Sequence, residues 1–314
     1  MKITIISYDN WKLNEHLQKA LDQKGHTVRH INFFEFKHKY PNFRTKLYNF
    51  FSKTLFNKNI KNFYYGKEIL KKLAENDEIQ DIILTIKGDF IDSKSILDFK
   101  KFGKKSIAFF NDSISRCPKT VEVIPSFDEV YSFEKEDCKK YKLKFITNWI
   151  YPVQNKNQSK EQLQVYNISS KDKRTVLLSK IARILKENKI IYKIIIYDKK
   201  SKDNDPNLEY TSKPIPLEEV NDNLFSSQVL LDINRKGQKG LTFRVFESLA
   251  LEKKLITTNL DIQNYDFYNP NNILIIDEKK LNIPLDFFNN EYQKIPEDIL
   301  QKYTLDGWIE EVLN

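Results

Sequence analysis

Cysteine is almost absent: Cys117 and Cys138 are the only two in 314 residues, too few for a disulfide framework. The four histidines all lie at or before His38, and no CxxC or HExxH spacing occurs, so the usual signatures of a metal site are missing. No run approaches the roughly 18 apolar residues that span a bilayer, and no transmembrane helix is expected. The N-terminal run Ile3-Thr4-Ile5-Ile6 is too short for the apolar core of a secretory signal and lacks a small-residue cleavage site; it reads as a buried first strand. Glycine is scarce, seven in all. No G-x-G-x-x-G follows the strand expected at Lys2 to Ser7 or the one at Leu163 to Ile168, which argues against a dinucleotide-dependent oxidoreductase. No helix-turn-helix, RNP or zinc module for nucleic acid is present.

What is present fits a two-domain protein, since 40% hydrophobic residues in a chain of this length supply two ordinary cores. Lys and Arg exceed Asp and Glu by nine (52 against 43), which favours anionic ligands such as phosphates, nucleic acid or acidic lipid headgroups without choosing among them. The heavy use of lysine, asparagine and isoleucine also fits an AT-rich bacterial genome.

Strands alternate with amphipathic helices, the pattern of parallel sheets built from βαβ units. The first series has strands at Lys2 to Ser7, His26 to Asn32, Asp81 to Ile86, Lys105 to Phe110, Glu129 to Phe133 and Lys144 to Thr147. It reads as one doubly wound domain over residues 1–153. The polar stretch Gln154 to Glu161 has no apolar residue and is the linker candidate. A second doubly wound domain is expected over 162–295, with strands at Leu163 to Ile168, Ile190 to Tyr197, Val229 to Asn234, Lys254 to Asn259 and Ile273 to Asp277. Helices over 296–314 close the chain and are expected to pack back toward the first domain. The aromatic, basic stretch within residues 33–65 has two readings: a core helix with solvated lysines, or a basic amphipathic face resting on the inner leaflet.

The chemistry concentrates after the strand Val229 to Asn234. The loop Arg235-Lys236-Gly237-Gln238-Lys239-Gly240 holds three cations and two of the seven glycines. Glycine lets backbone approach a ligand, and the helix starting near Leu241-Thr242 offers free N–H groups and partial positive charge. Arg235, Lys236 and Lys239 can pair with phosphate oxygens, and Arg244, in the first turn or so of the helix, can face the same anion. Glu247, one turn deeper, can accept both hydroxyls of a ribose. Read on spacing alone, this is equally an ordinary connection with solvated lysines and a surface glutamate.

The segment Gly240-Leu241-Thr242-Phe243-Arg244-Val245-Phe246-Glu247-Ser248-Leu249-Ala250, continued by Lys254-Leu255-Ile256-Thr257-Thr258-Asn259, resembles the donor-site segment of GT-B glycosyltransferases. The run from Asp261-Ile262 through Tyr265-Asp266-Phe267-Tyr268-Asn269-Pro270-Asn271-Asn272-Ile273 resembles more narrowly the bacterial capsule and lipopolysaccharide biosynthesis members. So do Phe109 to Arg116 and Phe127 to Cys138 in the first half. The resemblance implies an α/β GT-B fold, two Rossmann-like doubly wound parallel-sheet domains facing a central cleft. It also implies a cytoplasmic, metal-independent transferase that takes sugar from a nucleotide sugar, UDP or GDP rather than CMP, with no other cofactor. The acceptor would be a saccharide or lipid-linked chain; the basic-face reading of residues 33–65 adds peripheral membrane contact where such an acceptor is presented. By carry-over, Glu247 binds the donor ribose while Gly240, Leu241, Thr242 and Arg244 surround the diphosphate. Two positions depart from the pattern: Glu252 or Lys253 stands where glycine is frequent, and Ser169 to Arg174 lacks a Gly-Ser pair, leaving Arg174 as the substitute phosphate contact.

Transfer also needs a group that takes the acceptor proton. Ligands of open α/β sheets bind at the carboxyl ends of the strands, where Asp9, Asp89 and Asp112 are expected. Asp112 is the preferred base because Asn111-Asp112-Ser113 falls in a resembling segment; a helix-cap or turn role is the plainer alternative. A non-catalytic nucleotide- or nucleic-acid-binding protein using the basic surface is the competing reading.

Overall fold

The computed structural model describes residues 1–56, 58–76, 78–153, 163–199 and 205–314. The contacts divide the chain into two compact units, Met1–Ile146 and Thr147–Asn314. The sequence reading drew the boundary later, at 153; its proposed linker lies outside the described residues.

The first unit is built on strands β1 Lys2–Ser7, β2 Thr27–Asn32, β3 Gln80–Ile86, β4 Gly103–Phe110, β5 Glu129–Ser132 and β6 Lys144–Phe145. They form one parallel sheet in the order β2-β1-β3-β4-β5-β6. Its helices are α1 Leu13–Gln23, α2 Phe43–Phe56, α3 Ile60–Ala74, α4 Ser93–Phe99, α5 Thr120–Val123 and α6 Lys135–Tyr141. The central strands are apolar runs because helices cover both faces: Ile3, Ile5, Ile6, Ile83, Leu84, Ile107, Ala108 and Phe109 are fully or almost fully buried. Burial of each isoleucine, leucine and phenylalanine among them contributes about 1.5–3 kcal/mol. Gly66 of α3 is required by close packing, since a Cβ there would stand 2.3 Å from the Ser95 hydroxyl and 2.5 Å from the Asp92 carboxylate.

Helix α2 departs from the core-helix reading of the 33–65 stretch. Its buried side chains are Asn49 and Ser52, while Phe43, Tyr48, Phe50, Phe51 and Leu55 are at least half exposed. Among the described residues no helix is long and apolar enough to cross a membrane.

The second unit carries β7 Leu163–Ser170, β8 Tyr192–Tyr197, β9 Glu209–Thr211, β10 Ser227–Asp232, β11 Lys254–Thr257 and β12 Ile273–Ile275. All pair in parallel, in the order β12-β11-β10-β7-β8-β9. This is the Rossmann order, and its topological switch point, where ligands of such sheets bind, lies between β7 and β10. The helices are α7 Thr175–Glu187, α8 Leu217–Ser226, α9 Phe243–Ala250, α10 Asp286–Asn289, α11 Glu297–Gln301 and α12 Leu305–Leu313. The sequence pattern did not anticipate β9, a three-residue strand. Two apolar clusters flank the sheet, one gathering Tyr166, Leu230, Leu241, Phe246 and Leu255, the other Leu178, Ile181, Leu185, Leu231 and Ile256.

Residues 147–153 belong to this unit by packing. Trp149 packs against Trp308 of α12, ring centroids 4.7 Å apart and planes tilted by 58°, and meets Phe243 edge to face at 5.5 Å. The Asn148 side-chain amide donates to the Leu241 carbonyl at 2.9 Å, and Ile150 bridges in parallel to Thr304.

Candidate functional site

At the switch point, backbone pairing of β7 with β10 reaches Tyr166 opposite Leu230. Beyond it the Asn167 side chain donates to the Leu231 carbonyl at 2.6 Å. The chain leaving β7 turns at Asp172, whose carboxylate accepts from the Arg174 backbone N–H at 2.9 Å and from its guanidinium at 2.8–3.1 Å. Arg174 also donates to the Ile233 carbonyl at 2.9 Å, tying it to the end of β10. Arg235, just past that end, reaches the same Asp172 carboxylate at 3.2 Å. Burial pushes the Asp172 carboxyl up, but the Arg174 hydrogen bonds and both guanidiniums outweigh it, and the net shift is downward. Two guanidiniums sharing one carboxylate leave this corner cationic at neutral pH.

The loop from Arg235 to Gly240 is internally braced. Gly237 sits at φ 80°, a left-handed conformation that glycine adopts without strain. Asn234 donates to the Gln238 carbonyl at 3.2 Å and Asn259 to the Lys239 carbonyl at 2.9 Å. A cleft of about 400 Å³ is lined here by Arg235, Lys236, Lys239, Asn259 and Asp261, among others. The Gly240 backbone is buried, and the Leu241 side chain lies in the core at 1% exposure, so only its backbone could face a ligand.

Helix α9 begins at Thr242, which occupies the cap position but donates its hydroxyl to the Asp232 carboxylate at 3.0 Å. The first turn therefore has no side-chain cap, leaving its leading N–H groups oriented for an anion. Beneath it, Arg244 and Glu247 form an ion pair at 2.6 Å, their side chains 12% and 8% exposed. The Tyr151 hydroxyl donates to the other Glu247 oxygen, and the Arg244 guanidinium lies over the Tyr166 ring at 5.6 Å. Burial lowers the Arg244 proton affinity, yet Glu247, the two tyrosines and Asp232 reverse this and the net shift is upward. Burial raises the Asp232 carboxyl, opposed by Thr242, Arg244 and Arg174. Burial and the Glu247 charge push the Tyr151 phenol up. The Tyr166 hydroxyl and one Asp232 oxygen find no hydrogen-bond partner among the described residues.

Arg174, Arg235, Thr242, Arg244 and Glu247 thus gather around the ends of β7 and β10, with Lys236 on the adjoining loop. Asp172, Asp232, Tyr151 and Tyr166 complete the arrangement and were not singled out from the sequence. Asp232 carried a usable signal, a carboxylate in the apolar strand Val229-Leu230-Leu231. Tyr151 and Tyr166 carried none, because their roles depend on pairings far along the chain.

Asp112 is in the first unit, just past β4. Its carboxylate pairs with Lys87 at 2.9 Å and with Arg116, and its side chain is 15% exposed. Asp89, past β3, is buried at 7% exposure. Burial pushes its carboxyl up to about 6, with Lys87 opposing and the Asp112 charge adding to the rise. The Cys117 thiol is pushed up to about 12 by burial and by the two aspartates, which makes it a poor nucleophile. Asp9 has a structural use: its carboxylate accepts the Leu13 and Asn14 N–H groups at the start of α1, at 3.1 and 2.7 Å. His30 is engaged by the Ser7 hydroxyl at 2.7 Å.

The folded value of Asp89 lies above its ordinary 3.8. Stability from this group is therefore fully present below about pH 3.8 and is lost as pH rises through about 6. At about 1.4 kcal/mol per unit, Asp89→Asn is expected to relieve up to roughly 3 kcal/mol at neutral pH. Denaturant midpoints from pH 4 to 8 check this: the variant should gain on the wild type as pH rises, and parallel profiles would refute it.

No protein-family model and no curated protein matches the chain. Similar folds do occur among solved structures. The chain superposes on an α,α-trehalose-phosphate synthase (UDP-forming) from Burkholderia vietnamiensis with a TM-score of 0.59 and 9% identity, covering 100% of this chain and 99% of that one. The UDP-forming trehalose-phosphate synthase of Burkholderia xenovorans gives 0.56 and 11%, with 100% and 98% covered. A glycosyltransferase from Rickettsia africae gives 0.54 and 11%, with 99% and 96% covered. With two α/β units, each on a six-stranded parallel sheet, the chain has the GT-B fold of these glycosyltransferases.

Proposed function

We propose that the protein is a glycosyltransferase whose second unit holds a nucleoside-diphosphate sugar, UDP- or GDP-linked, and that it passes the sugar to a saccharide or lipid-linked acceptor. The observation that carries this reading is the cationic corner at the switch point. Two arginines converge on the ends of β7 and β10, beside the helix that starts without a side-chain cap. Arg174, Arg235 and Lys236 pair with diphosphate oxygens, while the backbone of Gly240 to Thr242, with Arg244, closes around them. Glu247 receives the ribose hydroxyls, since an ionised carboxylate accepts about four hydrogen bonds and two of its positions are engaged by Tyr151 and Arg244. The two trehalose-phosphate synthases are UDP-forming by name, which supports a diphosphate donor.

In the reaction the bond from the anomeric carbon to the diphosphate breaks as a bond to the acceptor oxygen forms. Asp112 takes the acceptor proton, and the nucleoside diphosphate leaves with its charge met by the arginines and the helix start rather than by a metal. The resemblance of the 261–273, 109–116 and 127–138 segments supports a cytoplasmic role in bacterial capsule or lipopolysaccharide synthesis.

The test is a thermal-shift screen against UDP, GDP, CMP and dTDP. A ligand at a hundred times its Kd stabilises the native state by about 2.7 kcal/mol, several degrees in Tm. One diphosphate nucleotide is expected to give that rise and Arg235→Ala to reduce it strongly. No response to any of them, with salt-dependent nucleic-acid binding instead, would favour the non-catalytic reading.

A further inference from the structure

Helix α2 is amphipathic in the reverse sense for a soluble protein. Its inward side is polar: Asn49, 3% exposed, bonds the Tyr40 hydroxyl at 2.6 Å and accepts the Ile60 N–H at 2.9 Å, and Ser52 is 7% exposed. Its outward side is apolar, with Phe43 at 75%, Leu47 at 44%, Tyr48 at 66%, Phe50 at 62%, Phe51 at 50% and Leu55 at 69% exposure. At 3.6 residues per turn these six side chains span an arc of about 160°. Single exposed apolar residues are ordinary, but a contiguous set this size marks a contact surface.

The charge around this face selects its partner. From Phe36 to Lys67 there is no Asp or Glu, while Lys37, Lys39, Arg44, Lys46, Lys53, Lys58, Lys61 and Lys67 supply eight cations. On α2 itself, Arg44 projects within the apolar arc, and Lys46 and Lys53 lie along one border of it. All three are exposed, and none forms an ion pair among the described residues. Aromatic and aliphatic side chains ringed by cations with no acid nearby fit a surface that is apolar within and anionic at its boundary.

We propose that the outer face of α2 docks onto an anionic lipid bilayer, with Phe43, Leu47, Phe50, Phe51 and Leu55 entering the headgroup–acyl boundary while Arg44, Lys46 and Lys53 pair with lipid phosphates. The surface lies wholly in the first unit and does not depend on the glycosyl-transfer reading. If both hold, the helix brings the enzyme to the leaflet that displays a lipid-linked acceptor.

Flotation of the purified full-length chain with phosphatidylcholine vesicles, with and without phosphatidylglycerol, tests the proposal. Binding is expected with the anionic vesicles, falling with added salt. Phe43→Ser/Phe50→Ser and Lys46→Glu/Lys53→Glu should each lower the bound fraction about ten-fold or more. These side chains are exposed, so both variants should keep the wild-type Tm and the wild-type nucleotide response; the latter separates failure here from failure of the donor site. Absence of binding to anionic vesicles, or binding equal in wild type and both variants, overturns the proposal. So does concentration-dependent self-association that the phenylalanine variant abolishes, because a second copy of the chain would then cover the face.

Discussion

Glu247→Ala is expected to lower stability by about 3–5 kcal/mol and to abolish the nucleotide-induced rise in Tm. The first effect follows from what remains: Arg244, 12% exposed and 2.6 Å from the lost carboxylate, keeps its charge in a site with little water. The Tyr151 hydroxyl loses its acceptor at the same time. The second effect requires Glu247 to receive the donor ribose. The double variant Arg244→Met/Glu247→Leu separates the two. Removing both charges together restores much of the stability, because a buried pair replaced by apolar side chains of similar size is often neutral. The nucleotide response should stay lost. Chemical denaturation and the nucleotide screen read the two effects. An unchanged denaturation midpoint in Glu247→Ala would dismiss the buried pair as a stabilising element, and a nucleotide response in the double variant would remove Glu247 from the donor site.

Asp112→Asn is expected to slow release of nucleoside diphosphate from the donor by roughly 100-fold or more, the range for loss of a general base. Transfer to water uses the same proton acceptor, so the assay runs before the acceptor is identified. Asparagine keeps the shape and one acceptor oxygen toward Lys87 and Arg116, and the fold should survive. Asp89→Asn is the control, since that carboxyl sits deeper, at 7% exposure. Near-normal turnover in folded Asp112→Asn would end its assignment, and a larger loss in Asp89→Asn would transfer the role to that residue.

The fold could be read in the sequence because parallel strands covered on both faces are apolar runs. Lys2–Ser7 falls where the pattern put it, and the ends of the other expected strands shift by only one or two residues. The loop Arg235 to Gly240 and helix α9 were readable for a different reason: cations, glycines and a helix start are local signals. What escaped were long-range pairings. Tyr151 meets Glu247 across 96 positions, and Asn148 meets Leu241 across 93. Nothing near Tyr151 or Asn148 announces either contact. Helix α2 was legible only as two alternatives, a core helix or an outward basic amphipathic face. Its pattern shows two unlike faces, but periodicity cannot tell which one turns inward, and the usual assumption, apolar side in, fails there.

The seven residues from Thr147 to Val153 precede the polar stretch that looks like a seam between halves, yet they belong to the second unit. Their side chains engage two separate helices of that unit, Trp149 meeting Trp308 of α12 and Tyr151 meeting Glu247 of α9. The gene is therefore divided at a different place from the one its hydrophilicity suggests. A recombination event joining a foreign N-terminal half at the polar stretch would supply the second unit with someone else's Trp149 and Tyr151. Exchange of first units between related genes has to cut upstream of Thr147 to leave the second unit intact, so inherited breakpoints should cluster near Ile146 rather than within 154–161.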